Sequence, residues 1–317
     1  MESSENRTWI GVDVSKNHWD VAVADSKAVS RFASDPEGTQ RVIDFVGRLD
    51  SPHVCLEATG GYERPLVTAL HEAAVLLSVV NPAHVRHFAR AQGQLAKTDQ
   101  IDARLLARFG ALMQPHPSEQ ASENQQKLKG LRTRRQQLSD GLVQEKNRLG
   151  VTRDGAARRS IDETIEFYQR QLQSLDEQIG QLMQVDPQFQ RRLALLTSVP
   201  GVGPNTAAAL MADLPELGSL NRRQAARLVG LAPINRDSGA FRGKRMIGGG
   251  RATVRKGLYM ATLVATRHNS VIRAFYQQLV ARGKAKMAAL TACMRKLLLI
   301  LNAMLKENKP WILQPNA

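Results

Sequence analysis

The stretch "TWIGVDVSKNHWDVAVA" at residues 8–24 decides the fold of the N-terminal part. It contains two runs rich in Val, Ile, Trp and Thr, separated by the turn-forming letters "SKN", and this pattern predicts a β-hairpin. Asp13 stands inside the first run, between the core-forming residues Val12 and Val14. A carboxylate in such a strand is costly unless it is paired or bound to a metal ion. The hairpin is therefore predicted to carry a functional acidic group.

The residues that follow the hairpin alternate between strand-like and helix-like patterns. A third strand is expected at 28–33, and helical periodicity and buried strand runs then take turns. The expected order is helix 38–49, strand 53–58, helix 62–74, strand 76–80 and helix 82–91. Strands followed by alternating helices and strands indicate an α/β layer with a mixed sheet. We place this first domain at residues 1–115.

The segment 116–190 is rich in Gln, Glu, Arg and Leu and poor in aromatic residues. Its apolar residues follow a 3-4 repeat, which Arg135 and Glu145 interrupt in the first half, and Gly150 to Ser160 separates the two halves. The pattern predicts an antiparallel helical coiled coil that projects from the body. Two amphipathic helices packed flat on a globular core are the alternative. In both cases the segment is scaffold.

The C-terminal segment 191–317 is predicted to be a mainly α domain, and it holds most of the positive charge. It carries 21 Lys or Arg and 4 Asp or Glu, whereas residues 1–110 carry 12 and 14, and residues 111–190 carry 11 and 11. The whole chain has a net charge of +15 and an isoelectric point near 10.3. Because Lys and Arg release the counterions condensed on phosphates, nucleic acid is the expected partner.

Other compositional features narrow the class of protein. Cys55 and Cys293 stand alone, so neither a zinc site nor a disulfide framework is expected, and a reducing cytoplasm fits. The N-terminal letters lack the long apolar run of a signal peptide. The longest apolar run near the C-terminus, "LLLILNAML" at 297–305, is too short to span a bilayer. We therefore expect no membrane partner.

Four carboxylates on two strands and one helix form the candidate catalytic set. Glu57 repeats the situation of Asp13, near the C-terminal end of another strand, and the string "KTDQIDARLLARF" places Asp99 and Asp102 three residues apart on one helix face. Two Mg²⁺ ions need several hard oxygen ligands of this kind. Taken singly, Asp13 could instead form a strand-end turn, and Asp99 could cap a helix with Asp102 in its first turn.

The ordered strings "GVDVSK", "EATGGYE" and "KTDQIDA" resemble the RuvC-type DEDD domain of insertion-sequence family one-ten transposases and their Piv-like relatives. The resemblance implies an RNase H-like fold and implies that Asp13, Glu57, Asp99 and Asp102 hold Mg²⁺, with Mn²⁺ as a substitute. It also implies a bacterial, cytoplasmic, DNA-associated recombinase that acts as a homo-oligomer, from dimer to tetramer, on donor and target double-stranded DNA. A structured non-coding guide RNA, encoded beside the gene, is implied by the family alone.

Two stretches of the C-terminal domain are candidate DNA contacts. In "SVPGVGPNTAAAL" at 198–210, Gly201 and Gly203 form a turn that enters a helix, as in a helix-hairpin-helix element that holds the DNA backbone. A plain loop between helices is the alternative. The second stretch, at 230–261, is rich in glycine and carries the basic candidates Arg236, Arg242, Lys244, Arg245 and Arg251.

Ser238 precedes Gly239 within this basic stretch. By its residue type alone it would be an ordinary turn residue. The resemblance extends to the second transposase domain of the same family, in which a serine in a Ser-Gly context is the nucleophile, and Ser238 is the matching position. The resemblance thus implies that Ser238 attacks a DNA phosphodiester and forms a phosphoserine link.

Three other classes compete with this interpretation. A RuvC-like nuclease would use the carboxylates with water as the nucleophile and the basic half for binding only. A non-catalytic DNA-binding protein would have an eroded site. A tyrosine recombinase would need Tyr168, Tyr259 or Tyr276 as its nucleophile, and Tyr259 lies in an apolar helix.

Overall fold

The computed structural model describes residues 7–94, 98–235, 237–239, 241–243 and 245–312. The chain separates into two compact units, residues 1–121 and residues 122–317. The domain boundaries expected at 115 and 190 from the sequence stay predictions.

The first unit is built on a five-stranded mixed sheet with the strand order β3-β2-β1-β4-β5. The first three strands are antiparallel neighbours, and β4 and β5 continue the sheet parallel to β1. The hairpin and the mixed sheet predicted from the sequence are confirmed. The strands are β1 (Thr8–Val14), β2 (His18–Val23), β3 (Val29–Ala33), β4 (Pro52–Glu57) and β5 (Leu76–Val80).

Helices cover both faces of this sheet, and their positions follow the predicted order. Successive strand residues point to opposite faces, so the even-numbered residues of β1 pack with α1 and α2, while Trp9 packs with α3 and α4. Gly11 lies under α4, where an added Cβ would come within 2.1 Å of the Ala103 carbonyl oxygen. The absence of a side chain at Gly11 therefore lets α4 dock closely beside Asp13. The helices are α1 (Pro36–Gly47), α2 (Arg64–Glu72), α3 (Pro82–Ala91) and α4 (Asp99–Met113).

The second unit begins with a helical hairpin, α5 (Glu123–Val151) and α6 (Gly155–Val185). The separator predicted at Gly150 to Ser160 is too long, because Asp154 accepts hydrogen bonds from the backbone of the next turn and starts α6 immediately. Arg135, which interrupts the apolar repeat, forms a bidentate ion pair with Asp176 of the other helix at 2.5 and 2.8 Å. The two helices thus pair along their length through apolar and ionic contacts.

One end of this hairpin joins the core of the second unit, since Leu128 and Ile179 are buried there among the C-terminal helices. Towards the connecting turn, Val143, Val151 and Phe167 are exposed. The projection of this hairpin from the body stays a prediction. The remaining helices of the unit are α7 (Pro187–Thr197), α8 (Pro204–Asp213), α9 (Arg222–Val229), α10 (Ala252–His268), α11 (Ser270–Ala281) and α12 (Lys286–Glu307).

Helix α12 is the one helix among the described residues that is long and apolar enough to cross a membrane. It extends the apolar run at 297–305, which is too short by itself, to 22 residues. Half of its apolar window is buried inside the unit, and Leu297, Leu298 and Leu301 are fully buried. Its apolar side chains therefore serve the protein core.

Candidate active site

The acidic cluster of the first unit starts from a cross-strand row on the face covered by α4. Asp13 of β1 lies directly opposite Asp20 of β2, and residues directly opposite each other in an antiparallel pair project to the same side. Glu57 ends β4, one residue after Leu56, which pairs with Val12. Glu57 is therefore level with Asp13 on the neighbouring parallel strand.

Helix α4 brings the other two predicted carboxylates to the same face. Asp99 and Asp102 lie in its first turn, and the helix is capped by Thr98, whose hydroxyl accepts a hydrogen bond from the Ile101 amide at 3.3 Å. The alternative in which Asp99 is itself the cap is therefore wrong. Asp102 and Glu57 line one cleft of about 320 Å³, together with residues of α3 that include Arg86.

The electrostatics of Asp13 show that the four carboxylates converge. Burial, together with the negative charges of Asp102, Asp99, Glu57 and Asp20, raises the pKa of Asp13 from its ordinary value of 3.8 to about 7. Each of the other three predicted residues thus lies close enough to act on Asp13. The structure brings the whole predicted set together within one unit.

A divalent cation fits this donor set, because Mg²⁺ and similar hard cations prefer carboxylate oxygens as ligands. Asp99 also takes part in a second arrangement. One ligand atom each from His18, Asp20 and Asp99 lie within 4.8 Å of one another. Of these three side chains, only Asp99 was singled out in the sequence.

Glu63 is another residue that the sequence did not single out. Its carboxylate accepts hydrogen bonds from the Gly61 amide at 2.8 Å and from the amide and hydroxyl of Thr59 at 3.1 and 3.2 Å. Burial acts to raise the pKa of Glu63, but these hydrogen bonds outweigh it and hold the pKa below its ordinary value. The second Glu of "EATGGYE" therefore organises the loop that leaves β4 after Glu57.

The second unit carries the predicted nucleophile on a short hairpin. Strands β6 (Asp237–Ser238) and β7 (Phe241–Arg242) pair with Ser238 opposite Phe241. Ser238 and Arg245 are exposed. Ser238 therefore lies at the surface of this unit. Of the other basic candidates, Arg242 is described by its backbone alone, and Arg236 and Lys244 lie outside the described residues.

Arg251 has a structural environment that its sequence context did not suggest. Its guanidinium donates two hydrogen bonds of 2.6 Å to the carboxylate of Glu216 and one of 3.0 Å to the Asp213 carbonyl oxygen. These contacts join the start of α10 to the end of α8. The role of Arg251 as a DNA contact stays a prediction.

The "PGVG" turn joins helices α7 and α8, and its two glycines differ in their surroundings. Gly201 has a φ of +104°, and an added Cβ would lie 2.7 Å from the backbone nitrogen of Ala265 in α10. Gly203, the N-cap of α8, has open space at that position. Close helix packing therefore accounts for Gly201, whereas Gly203 alone is open for the approach of a phosphate. Phosphate binding at this turn stays a prediction.

Comparisons with known proteins identify both halves of the chain. A DEDD transposase family model of the IS110 type matches residues 10–152, and a model described as transposase IS116/IS110/IS902 family matches residues 193–277. The pilin gene-inverting protein of Moraxella bovis is 28% identical over 316 residues, covering 96% of this chain and 98% of that protein. Its namesake from Moraxella lacunata gives the same values.

A shorter match extends the relationship to insertion elements. The 42 kDa protein of insertion element IS900 from Mycobacterium paratuberculosis is 30% identical over 148 residues, covering 44% of this chain and 36% of that protein. The DEDD domain suggests a RuvC-like α/β fold, which agrees with the mixed sheet, and implies the use of a divalent metal ion. The chain thus carries the two transposase domains of the IS110 family and is a DNA transposase or recombinase.

Proposed function

We propose that this protein cuts and rejoins DNA strands of a mobile element through a covalent phosphoserine at Ser238. The observation that carries the proposal is the convergence of four carboxylates on Asp13, whose pKa is raised to about 7 by burial and by like charges. Such a site is unfavourable in an empty protein and favourable around cations that bind phosphate. The exposed hydroxyl of Ser238 is the matching nucleophile.

The reaction conserves phosphodiester bonds. The Ser238 oxygen forms a bond to the phosphorus, the bond from phosphorus to one sugar oxygen breaks, and that oxygen takes up the proton that the serine loses. Attack by a sugar hydroxyl of another strand then reverses these changes and returns the proton to Ser238. Arg236 and Arg242 are the side chains expected to stabilise the charge on the phosphate.

Asp13, Glu57, Asp99 and Asp102 are the residues that would hold the metal, two Mg²⁺ ions with Mn²⁺ as a substitute. When bound, the ions would neutralise phosphate charge and lower the pKa of a hydroxyl group. The carboxylates belong to residues 1–121 and Ser238 belongs to residues 122–317. We expect the active site that uses these carboxylates and Ser238 to be completed between protomers of a homo-oligomer. This homo-oligomer, a dimer to tetramer, would act on donor and target DNA.

A structured guide RNA that pairs with both DNA partners is part of the proposal. Its support is the membership of both domains in the IS110 type, together with the large positive charge of residues 191–317. This part is tested in cells by deleting the non-coding DNA beside the gene and then supplying the RNA transcribed from it separately. We expect recombination to stop after the deletion and to return when the transcript is supplied.

A RuvC-like nuclease that uses water is the second candidate. It is favoured by the fact that residues 1–121 bring all four carboxylates together without any contribution from Ser238. This nuclease would cleave DNA but would form no covalent protein–DNA link.

The decisive experiment incubates the protein with Mg²⁺ or Mn²⁺, the transcript and a plasmid that carries the gene with its flanking DNA. We expect DNA-linked protein on a denaturing gel and a phosphorylated Ser238 peptide by mass spectrometry. Ser238→Ala should abolish both, whereas the control Ser219→Ala, at another exposed serine of the same unit, should retain them. Cleavage at the full rate by Ser238→Ala would establish the nuclease instead.

A further inference from the structure

Two polar side chains of β2 lie beside the carboxylate cluster. The proposed function does not use either of them. His18 and Asp20 are two residues apart, so both point to the face of the sheet that α4 covers. Asp20 is 1% exposed and lies opposite Asp13 on one side and opposite Arg31 of β3 on the other. The row Asp13, Asp20 and Arg31 therefore runs across three neighbouring strands.

Arg31 uses both oxygens of Asp20. Its Nε donates to Oδ1 at 2.8 Å and its Nη2 donates to Oδ2 at 2.7 Å, which is the bidentate geometry of a strong ion pair. A buried carboxylate without such a partner would be destabilising. Asp20 is thus already neutralised, and its oxygens are engaged in a way that competes with direct binding of a metal ion.

His18 connects this pair to the carboxylates that are proposed to hold the metal, which we call the proposed metal cluster. Its Nε2 lies 3.3 Å from Oδ2 of Asp99 and 3.9 Å from Oδ2 of Asp20. Because both neighbours are carboxylate oxygens that accept hydrogen bonds, Nε2 is the ring nitrogen placed to donate one to Asp99. Arg31 approaches the same oxygen of Asp99 at 4.0 Å. Asp99 itself lies in the first turn of α4, and its side chain is 52% exposed.

We propose that His18, supported by the Asp20–Arg31 pair, is a positioning residue that orients the Asp99 carboxylate for the metal ion. A carboxylate that must bind a cation gains affinity when an outer hydrogen bond selects its orientation beforehand. The inference rests on the proposed metal cluster and adds to it a support that comes from β2, the second strand of the β1–β2 hairpin. His18 binds no metal in this arrangement.

The test measures Mn²⁺ affinity of the full chain by the loss of the free-ion electron paramagnetic resonance signal. His18→Leu removes the donor, and we expect the affinity to fall by about tenfold or more. His18→Gln keeps an N–H donor at nearly the same reach, and it should retain the affinity to within about threefold. Arg31 is a poorer target, because its removal leaves Asp20 buried without its partner and threatens the fold.

Two controls separate this inference from the proposed function. His71→Leu changes a histidine of α2, on the opposite face of the sheet, and should bind Mn²⁺ like the unaltered protein. Asp102→Asn should weaken Mn²⁺ binding strongly, whether or not His18 has a positioning role. If Asp102→Asn binds normally, the proposed metal cluster itself is wrong.

Any of three results would overturn the positioning role while leaving the metal cluster intact. One is normal Mn²⁺ affinity in His18→Leu when Asp102→Asn has lost it. Another is a nitrogen hyperfine coupling to bound Mn²⁺ that disappears in His18→Leu, since this would make His18 a direct ligand. The third is equal losses in His18→Leu and His18→Gln, which would count against a hydrogen-bond donor.

Discussion

Replacing Asp13 by Asn should stabilise the metal-free protein while it removes the metal site. Asn has nearly the shape of a protonated Asp, but it cannot acquire the charge that burial and the surrounding carboxylates oppose. In the folded protein the pKa of Asp13 is raised, so the native state holds its proton more tightly than the unfolded chain does. Its contribution to stability is therefore lost as pH rises from about 4 through about 7.

The size of this effect follows from the pKa. The change from 3.8 to about 7 corresponds to about 4 kcal/mol at pH values above 7. Relaxation of the site and access of water would reduce this figure, so a gain of about 2–4 kcal/mol is expected for Asp13→Asn at pH 8. Below pH 4 the two proteins should have equal stability, because Asp13 is then protonated in both the folded and the unfolded states.

Urea unfolding in the presence of EDTA, at pH values from about 3 to about 8, measures this difference directly. When Mg²⁺ replaces EDTA, the stability of the unaltered protein should rise and that of Asp13→Asn should stay unchanged, since a ligand stabilises only the state that binds it. Asp25→Asn, at an exposed turn between β2 and β3, is the matched control and should show neither effect. Equal stability of Asp13→Asn and the unaltered protein at pH 8 would refute the reasoning.

Three further predictions concern the scaffold. Gly201→Ala should destabilise the protein by at least about 2 kcal/mol, because the added methyl group meets the backbone of α10 at a positive φ, whereas Gly203→Ala should cost less than about 1 kcal/mol; urea midpoints compare the two. Arg251→Met should lower stability by about 1–2 kcal/mol, and Glu216→Gln should do likewise, in thermal unfolding without DNA, whereas a change confined to DNA affinity would contradict the structural pairing. Burial, assisted by a nearby arginine, lowers the pKa of His53 to about 4. As pH drops from 6.5 to 4 the unfolded chain takes up a proton that the folded protein does not, so stability should fall by about 3 kcal/mol. A pH series of urea midpoints should show that His53→Gln has lost this dependence.

The periodicity of the sequence was sufficient to predict the elements of the first unit. The hairpin at 8–24, the helices and the parallel strands are local patterns of apolar residues, and the observed bounds differ from the predicted ones by about two residues or fewer at most ends. The turn between α5 and α6 was misjudged, because the helix-starting effect of Asp154 outweighs the weak helix formers around it.

The residue types also indicated the chemistry. Asp13 in an apolar strand and the pair Asp99 and Asp102 on one helix face are costly or unusual enough to be noticed without a structure. His18, Asp20 and Arg31 were not noticed, although the two-residue spacing of His18 and Asp20 on a predicted strand was a usable signal.

The sequence by itself therefore determined the secondary structure, the segregation of charge and the identity of the acidic groups, because these depend on neighbours within a few residues. The tertiary structure alone decided which of these groups share an environment. Strand register sets Asp20 between Asp13 and Arg31, and the docking of α4 at Gly11 brings Asp99 to His18. Electrostatic interactions depend on distance in space, so the raised pKa of Asp13 and the pairing of Arg251 arise only once distant segments have packed together.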